Sequence, residues 1–166
     1  MISKLKSLFL VAIVAGFTQS LSAQDIRVGV HAGFPVGDAS DVSSFNLGID
    51  GAVYFYKVKN FLDLGIATGY SRFFGKTETV YGVDFTYDDF GYIPIAASGR
   101  GNFDHSIFYT ADIGYGIGLN NADGGLYYQG KIGWTKDNFD LFGFYRGISD
   151  NISVASIGVG VAYKLH

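Results

Sequence analysis

The sequence predicts an all-β protein: an eight-stranded antiparallel up-and-down transmembrane β-barrel, preceded by a cleavable signal peptide. Three observations predict it. The chain breaks into eight segments of about ten residues whose apolar positions recur every second residue, the period of a strand with two unlike faces. Glycine (24) and tyrosine plus phenylalanine (12 and 15) are abundant, while proline (2) and methionine (1) are scarce. The first 23 residues have the layout of an export signal.

The signal is read first. Lys4 and Lys6 give a positive start, Leu8 to Phe17 is a short apolar run, and the small residues up to Ala23 suit cleavage. That run is too short for a spanning helix, which needs about 20 residues. The expected domains are therefore a signal peptide over 1–23 and a barrel over 24–166. Without Lys4 and Lys6 the chain carries 10 basic residues against 15 acidic, a net of −5. Nucleic acid is excluded as a partner, because binding it takes a basic patch. No cysteine is present, so neither disulfides nor a lipidated cysteine contribute.

The eight strands fall at about 25–36, 45–57, 61–74, 90–103, 106–120, 125–135, 138–147 and 153–165. The last shows the pattern most plainly. Ile157, Val159, Val161, Tyr163 and Leu165 point one way; Gly158, Gly160, Ala162 and Lys164 point the other. Tight connections at 57–60, 104–105 and 136–138 alternate with longer ones, of which 75–89 is the longest. Short turns at one end and long loops at the other are the habit of bacterial outer-membrane barrels. The long loops carry Asp38, Asp41, Glu78, Asp84, Asp88, Asp89, Asp123 and Asp150 against Lys76 alone, so the outer end is expected to be acidic.

Aliphatic residues share one parity, from Val28, Val30 and Ala32 in the first strand to Ile157, Val159 and Val161 in the last. Aromatics at the strand ends form two expected belts, represented by Phe45, Tyr70, Tyr92 and Tyr128 at the outer end and Phe55, Tyr109, Trp134 and Tyr163 at the inner end. Amphipathic rings favour the membrane–water boundary. Phe45 to Phe55 covers ten residues, about 33 Å of strand. A tilt near 40° reduces this to about 25 Å, the height of an outer-membrane apolar band.

Charges collect on the other parity. An eight-stranded barrel has an interior just filled by side chains, so charges there must be paired. The expected ion cluster is Arg100, Asp112 and Lys131, with Asp50 as a further member. Phe142 and Phe144 fall on the inward parity as fillers, and Arg72 is the strand charge on the outward one.

With these residues in place the chain resembles the small OmpX/OmpA-like eight-stranded type of bacterial outer-membrane β-barrel, common in Bacteroidetes. The resemblance runs from Gln24 to His166. It rests on the opening Ile26-Arg-Val-Gly-Val-His-Ala-Gly33, on Tyr92-Ile-Pro-Ile95, on the segment from Gly125 to Gly133, and on the end. That end is similar to the C-terminal signal read by the barrel-assembly machinery, with Gly160, Tyr163 and Leu165 in its positions and His166 following. The resemblance implies a bacterial outer-membrane address, with lipid and the assembly machinery as partners. It implies no particular activity.

Chemistry is not expected. His31, His105 and His166 lack metal-ligand spacing, and Gly114-Tyr-Gly-Ile-Gly118 repeats every second residue within a strand instead of turning into a helix. No catalytic residue, metal or cofactor is therefore expected. The leading functional expectation is a structural or interaction role through extracellular loops. Within the 73–90 loop the contact candidates are Tyr81, Asp84, Phe85, Tyr87, Asp88 and Asp89, and the same stretch also reads as an extended hairpin over 80–87. Two alternatives remain: a narrow pore for small solutes, and an exported soluble ligand-binding barrel of lipocalin type, with the apolar face turned inward.

Overall fold

Strand periodicity dictates the architecture. The computed structural model describes residues 25–120, 122–149 and 153–165. The expected signal segment, Asp150 and His166 lie outside the described residues. The elements in chain order are β1 (Asp25–Val36), a single helical turn α1 (Ala39–Val42), β2 (Ser43–Val58), β3 (Leu62–Gly75), β4 (Thr77–Val80), β5 (Val83–Thr86), β6 (Phe90–Asn102), β7 (Ile107–Leu119), β8 (Gly125–Lys136), β9 (Phe139–Ser149) and β10 (Ser153–Lys164).

Eight of the strands close into one antiparallel barrel in the order β1-β10-β9-β8-β7-β6-β3-β2, and β4 with β5 forms a separate two-stranded sheet. Each neighbour in the barrel is a neighbour in sequence once that small hairpin is set aside; only β1 with β10 pairs the two ends of the series. Closure satisfies the backbone of every wall strand from both sides, the condition for a sheet to sit in hydrocarbon.

The tight connections have the turn chemistry their geometry requires. Lys59 and Asn60 both take positive φ (49° and 72°), as mirror-image hairpin turns demand, and the Phe61 N–H donates to the Val58 carbonyl at 3.2 Å. Asp137 turns the β8–β9 hairpin with φ of 55°. Between β6 and β7, one Asp104 carboxylate oxygen accepts the N–H groups of Ser106 and Ile107, both at 2.7 Å. Those two backbone donors hold the Asp104 carboxyl below its usual range.

Side chains alternate between wall exterior and lumen. Val28, Val30, Leu47, Ile49, Ile66, Ile95, Ile113, Ile132, Leu141, Ile157, Val159 and Val161 are all exposed on the outside. Inside, two apolar clusters fill the ends. Phe73, Tyr92, Ala96, Tyr127 and Ile148 pack near the long-loop end. Phe108, Phe142 and Phe144 pack toward the tight-turn end and the middle. Phe142 and Phe144 thus lie inside, where their parity puts them. The lipocalin alternative is overturned by this orientation, because the aliphatic rows face outward and the charges face inward. Among the described residues no helix is long and apolar enough to cross a membrane.

Glycine makes this interior fit. A Cβ on Gly48 would stand 2.6 Å from the imidazole of His31, and one on Gly160 would stand 2.5 Å from the ring of Phe142. On the outer wall Gly51 is different: the nearest atom to a Cβ there is a backbone oxygen at 3.9 Å. Gly48→Val should therefore lower stability by about 1–3 kcal/mol, the usual range for overpacking, while Gly51→Val should change it by less than about 0.5 kcal/mol. Urea unfolding of the barrel in lipid vesicles measures both; equal effects would refute the packing argument.

Candidate functional site

Inward-facing residues build separate polar clusters along the lumen. At the tight-turn end, β9 contributes Asp140. It receives Arg27 Nη1 from β1 at 2.5 Å, Arg100 Nη1 and Nη2 from β6 at 3.0 and 3.2 Å, and the Thr135 hydroxyl from β8 at 2.6 Å. Arg27 also donates to Asp25 at 2.8 Å. The Arg100 guanidinium lies 3.8 Å above the centre of the Phe108 ring, which replaces some of its lost hydration.

Halfway along the lumen the anchor is Asp50 on β2. Lys131 Nζ and Arg146 Nη2 each approach its Oδ2 at 3.3 Å, and His31 Nδ1 lies at 3.2 Å. Arg146 Nη1 donates to the Ser71 hydroxyl at 2.7 Å and lies 3.1 Å from His31 Nε2. A guanidinium only donates. His31 Nε2 therefore accepts, which leaves the ring proton on Nδ1, close to Asp50 but outside hydrogen-bond geometry.

The sequence candidates are thus partly brought together. Lys131 and Asp50 pair across the lumen, as do Arg100 and Asp140, but Asp112 meets no cation. Its carboxylate accepts the Ser98 hydroxyl at 2.5 Å and the Gln129 amide at 2.8 Å. Register gives the reason. Ser98, Asp112 and Gln129 stand directly opposite one another on β6, β7 and β8, while Arg100, Thr110 and Lys131 form the next inward row. The long cations of that row reach carboxylates on the far wall instead of the diagonal one on their own. Asp140, Arg146 and Arg27 were not among the sequence candidates for the cluster; inward parity alone marks them.

Asp50, His31 and Ser71 also form an acid–imidazole–hydroxyl line, with His31 Nε2 at 3.0 Å from Ser71 Oγ. The same sequence of groups activates serine nucleophiles. Here Ser71 is 4% exposed, the cavity beside it is about 10 Å³, and Arg146 occupies both the hydroxyl and the imidazole. No acyl group has room to approach. The line ties β2, β1, β3 and β9 together.

A second luminal cavity, lined by Arg27, Asp50, Tyr54, Arg100, Lys131 and Asp140 among others, is about 30 Å³. That is room for about one water. The interior is filled with side chains. Among the described residues no group of three or more His, Asp or Glu side chains is placed to hold a metal ion.

Of the eight belt aromatics named from sequence, Phe45, Phe55, Trp134 and Tyr163 are exposed on the outer wall. Tyr109 and Tyr128 lie along the wall with their rings over Gly101 and Gly147, and Tyr70 is half-buried. Tyr92 is a correction: it is buried inside, edge-on to Phe73 and Phe90 at 5.8 Å. Counting along β6 explains it. Tyr92 shares the parity of Ser98 and Arg100, whereas the outward row is Ile93, Ile95 and Ala97. At the end of the chain, Gly160 faces inward under Phe142, Tyr163 packs outward against Phe139 at 4.9 Å, and the Leu165 N–H donates to the Ile26 carbonyl at 2.8 Å.

At the outer end, β4 and β5 rise from a braced base. Asp89 accepts Arg72 Nη2 at 2.7 Å and the Gly75 N–H at 2.9 Å. The Lys76 N–H donates to the Val42 carbonyl at 2.9 Å, and Lys76 Nζ donates to the Ser40 carbonyl at 2.6 Å. Tyr81, Asp84, Phe85, Tyr87 and Asp88 are exposed, whereas Asp89 belongs to the brace.

No family model matches the chain, and no curated protein matches it. Solved structures match in shape. The fold is that of a small transmembrane β-barrel. A crystal structure of Ail, the attachment invasion locus protein of Yersinia pestis, in complex with the heparin analogue sucrose octasulfate, covers 86% of this chain with 97% of its own, at 15% identity and a TM-score of 0.58. The backbone structure of Ail in a phospholipid bilayer nanodisc covers 85% with 99%, at 16% identity and 0.58. A de novo designed transmembrane β-barrel covers 85% with 95%, at 14% identity and 0.55. A barrel designed without ancestry fits nearly as well as the natural ones, so the likeness is one of architecture.

Two tests follow from the geometry of this transmembrane barrel. Asp50→Asn leaves Lys131 and Arg146 facing each other without a carboxylate and should cost about 3–5 kcal/mol. Asp112→Asn, among neutral donors, should cost less, about 1–3 kcal/mol. Urea midpoints in vesicles compare them, and an equal loss would refute the assignment of Asp50 as the anchor. At the brace, the Gly75 N–H and then Arg72 hold the Asp89 carboxyl below its usual range. A carboxyl depressed in the folded state stabilises above its unfolded value and loses that contribution as pH falls through the folded one. NMR titration should find Asp89 protonating below the ordinary range of an aspartate carboxyl. Arg72→Gln should raise it only part of the way, because the backbone donor remains.

Proposed function

We propose that the protein is a small integral outer-membrane β-barrel of the OmpX/OmpA-like kind, of the type common in Bacteroidetes. In this reading it is exported by its first 23 residues, inserted by the barrel-assembly machinery through Gly160, Tyr163 and Leu165, and acts through its extracellular loops without catalysis. The observation that carries the reading is the sorting of side chains across the wall. Aliphatic rows bounded by aromatics face outward, while the charges of the wall strands lie inside or, as with Arg72, at the rim. A cationic residue on the outer face at mid-bilayer costs about 2–4 kcal/mol, and none of the described mid-wall positions carries one.

A filled interior favours a structural or binding role over transport. The narrow-pore alternative needs a continuous wet passage, and cavities of about 30 and 10 Å³ supply only isolated pockets. Silence in planar bilayers, where an open pore of even a few ångströms would give unit conductance steps, is the outcome expected.

The address is tested by fractionation. The expressed protein should remain in the carbonate-washed outer-membrane pellet, migrate faster in SDS unboiled than boiled, and start at Gln24 when sequenced from its N-terminus. A soluble product whose mobility is insensitive to boiling would overturn the reading.

A further inference from the structure

The hairpin above the barrel has two unlike faces. Register sets Glu78 opposite Phe85 on one face, which Val83 shares. It sets Thr77 opposite Thr86 and Thr79 opposite Asp84 on the other. The second face is satisfied within itself, with the two threonine hydroxyls of Thr77 and Thr86 at 3.0 Å and Thr79 donating to Asp84 at 2.6 Å. The first is not covered. Val83 and Phe85 are 56% and 57% exposed, and Tyr81 at the tip is fully exposed.

The tip adds a second observation. Tyr81 and Gly82 make the turn with φ of 52° and 80°. A mirror-image turn prefers Asn, Asp or Gly at both positions. A tyrosine there costs conformational energy, and its ring gains no contact within the molecule in return. The base of the hairpin is tied down by the Asp89 brace, and the apolar face stands above it.

We propose that this face docks a cationic polypeptide segment, an inference that rests on the outer-membrane reading above. Charge selects that occupant. Glu78 lies on the face itself, Asp88 follows β5, and Asp38, Asp41 and Asp123 stand on neighbouring loops. The nearby cations are engaged, Arg72 by Asp89 and Lys76 by the Ser40 carbonyl. A second copy would bring the same carboxylates against these, and an anionic lipid surface or a sulfated sugar would be repelled. A segment alternating apolar and basic side chains sets its apolar row on Phe85, Val83 and Tyr81 and its ammonium groups near Glu78 and Asp88. Such complementarity mainly governs selectivity and rate of capture.

The test uses the full protein in zwitterionic nanodiscs and three fluorescent heptapeptides, alternating lysine with valine, glutamate with valine, and lysine with serine. Binding to empty discs is subtracted. The lysine–valine peptide should bind at least about tenfold more tightly than the other two. Phe85→Ser should weaken it about tenfold, in the range of an exposed aromatic anchor. Glu78→Gln should weaken it and flatten its salt dependence. Replacement of residues 77–86 by a Gly-Ser turn should abolish it. Equal binding of the glutamate–valine peptide overturns the proposal, as does undiminished binding without the hairpin. Hairpin-dependent self-association, or capture of anionic vesicles in preference to the peptide, overturns it as well. Every protein is checked for the boiling shift and the membrane pellet. If those hold and the peptide result fails, the partner assignment alone falls; if the parent protein lacks them, the outer-membrane reading falls with it.

Discussion

An eight-stranded sheet closed on itself leaves an interior only as wide as the side chains that fill it. The cations that face inward must find carboxylates there, since lipid lies on one side of the wall and almost no water on the other. The Asp50 and Asp140 carboxylates meet that demand. Between them they receive Lys131, Arg146, His31, Arg27 and Arg100, which come from four different strands. Phenylalanine rings lie beneath the guanidiniums of Arg100 and Arg146 and the ammonium of Lys131, at 3.8, 4.3 and 4.8 Å. The aromatic content of the chain therefore serves two media. Rings such as Trp134 and Phe139 meet the bilayer, while Phe108, Phe142 and Phe144 stand in for water around buried cations.

The wall was legible in the sequence because its rule is local. A strand in a membrane barrel alternates strictly, and each segment shows that alternation within itself, so all eight wall strands lie within a few residues of where the pattern puts them. The Tyr92 position shows how local the rule is: one step of parity separates a belt residue from a core residue. The charge pairs were less legible because they depend on which residues face one another across the lumen. Register on one wall set Asp112 near Arg100 and Lys131 but said nothing of the distance from Arg100 to Asp140 on the opposite side.

The outer hairpin was read as one of two options for the 73–90 loop, and its own signals explain both. Thr77 to Thr86 holds β-branched and aromatic residues around a Tyr-Gly turn, a hairpin pattern. Its strands are only four residues each, too short for periodicity to separate them from an exposed loop. What no local pattern reveals is the brace. Arg72 looked like an outward-facing charge at the rim, and its partner Asp89 lies 17 residues away on the far side of the hairpin.

The bonds that β1 makes to β9 pass over β10. Arg27 to Asp140 spans 113 residues of chain and Arg146 to His31 spans 115. Neither bond exists until the intervening strands are in register, and the seam between β1 and β10 closes over the same ground. Shutting the cylinder and neutralising its contents are therefore one event. A partly assembled, curled sheet carries stranded cations and an open backbone edge together, and hydrocarbon penalises both. The arrangement makes half-closed forms costly and gives the finished wall a cooperative, latch-like final step.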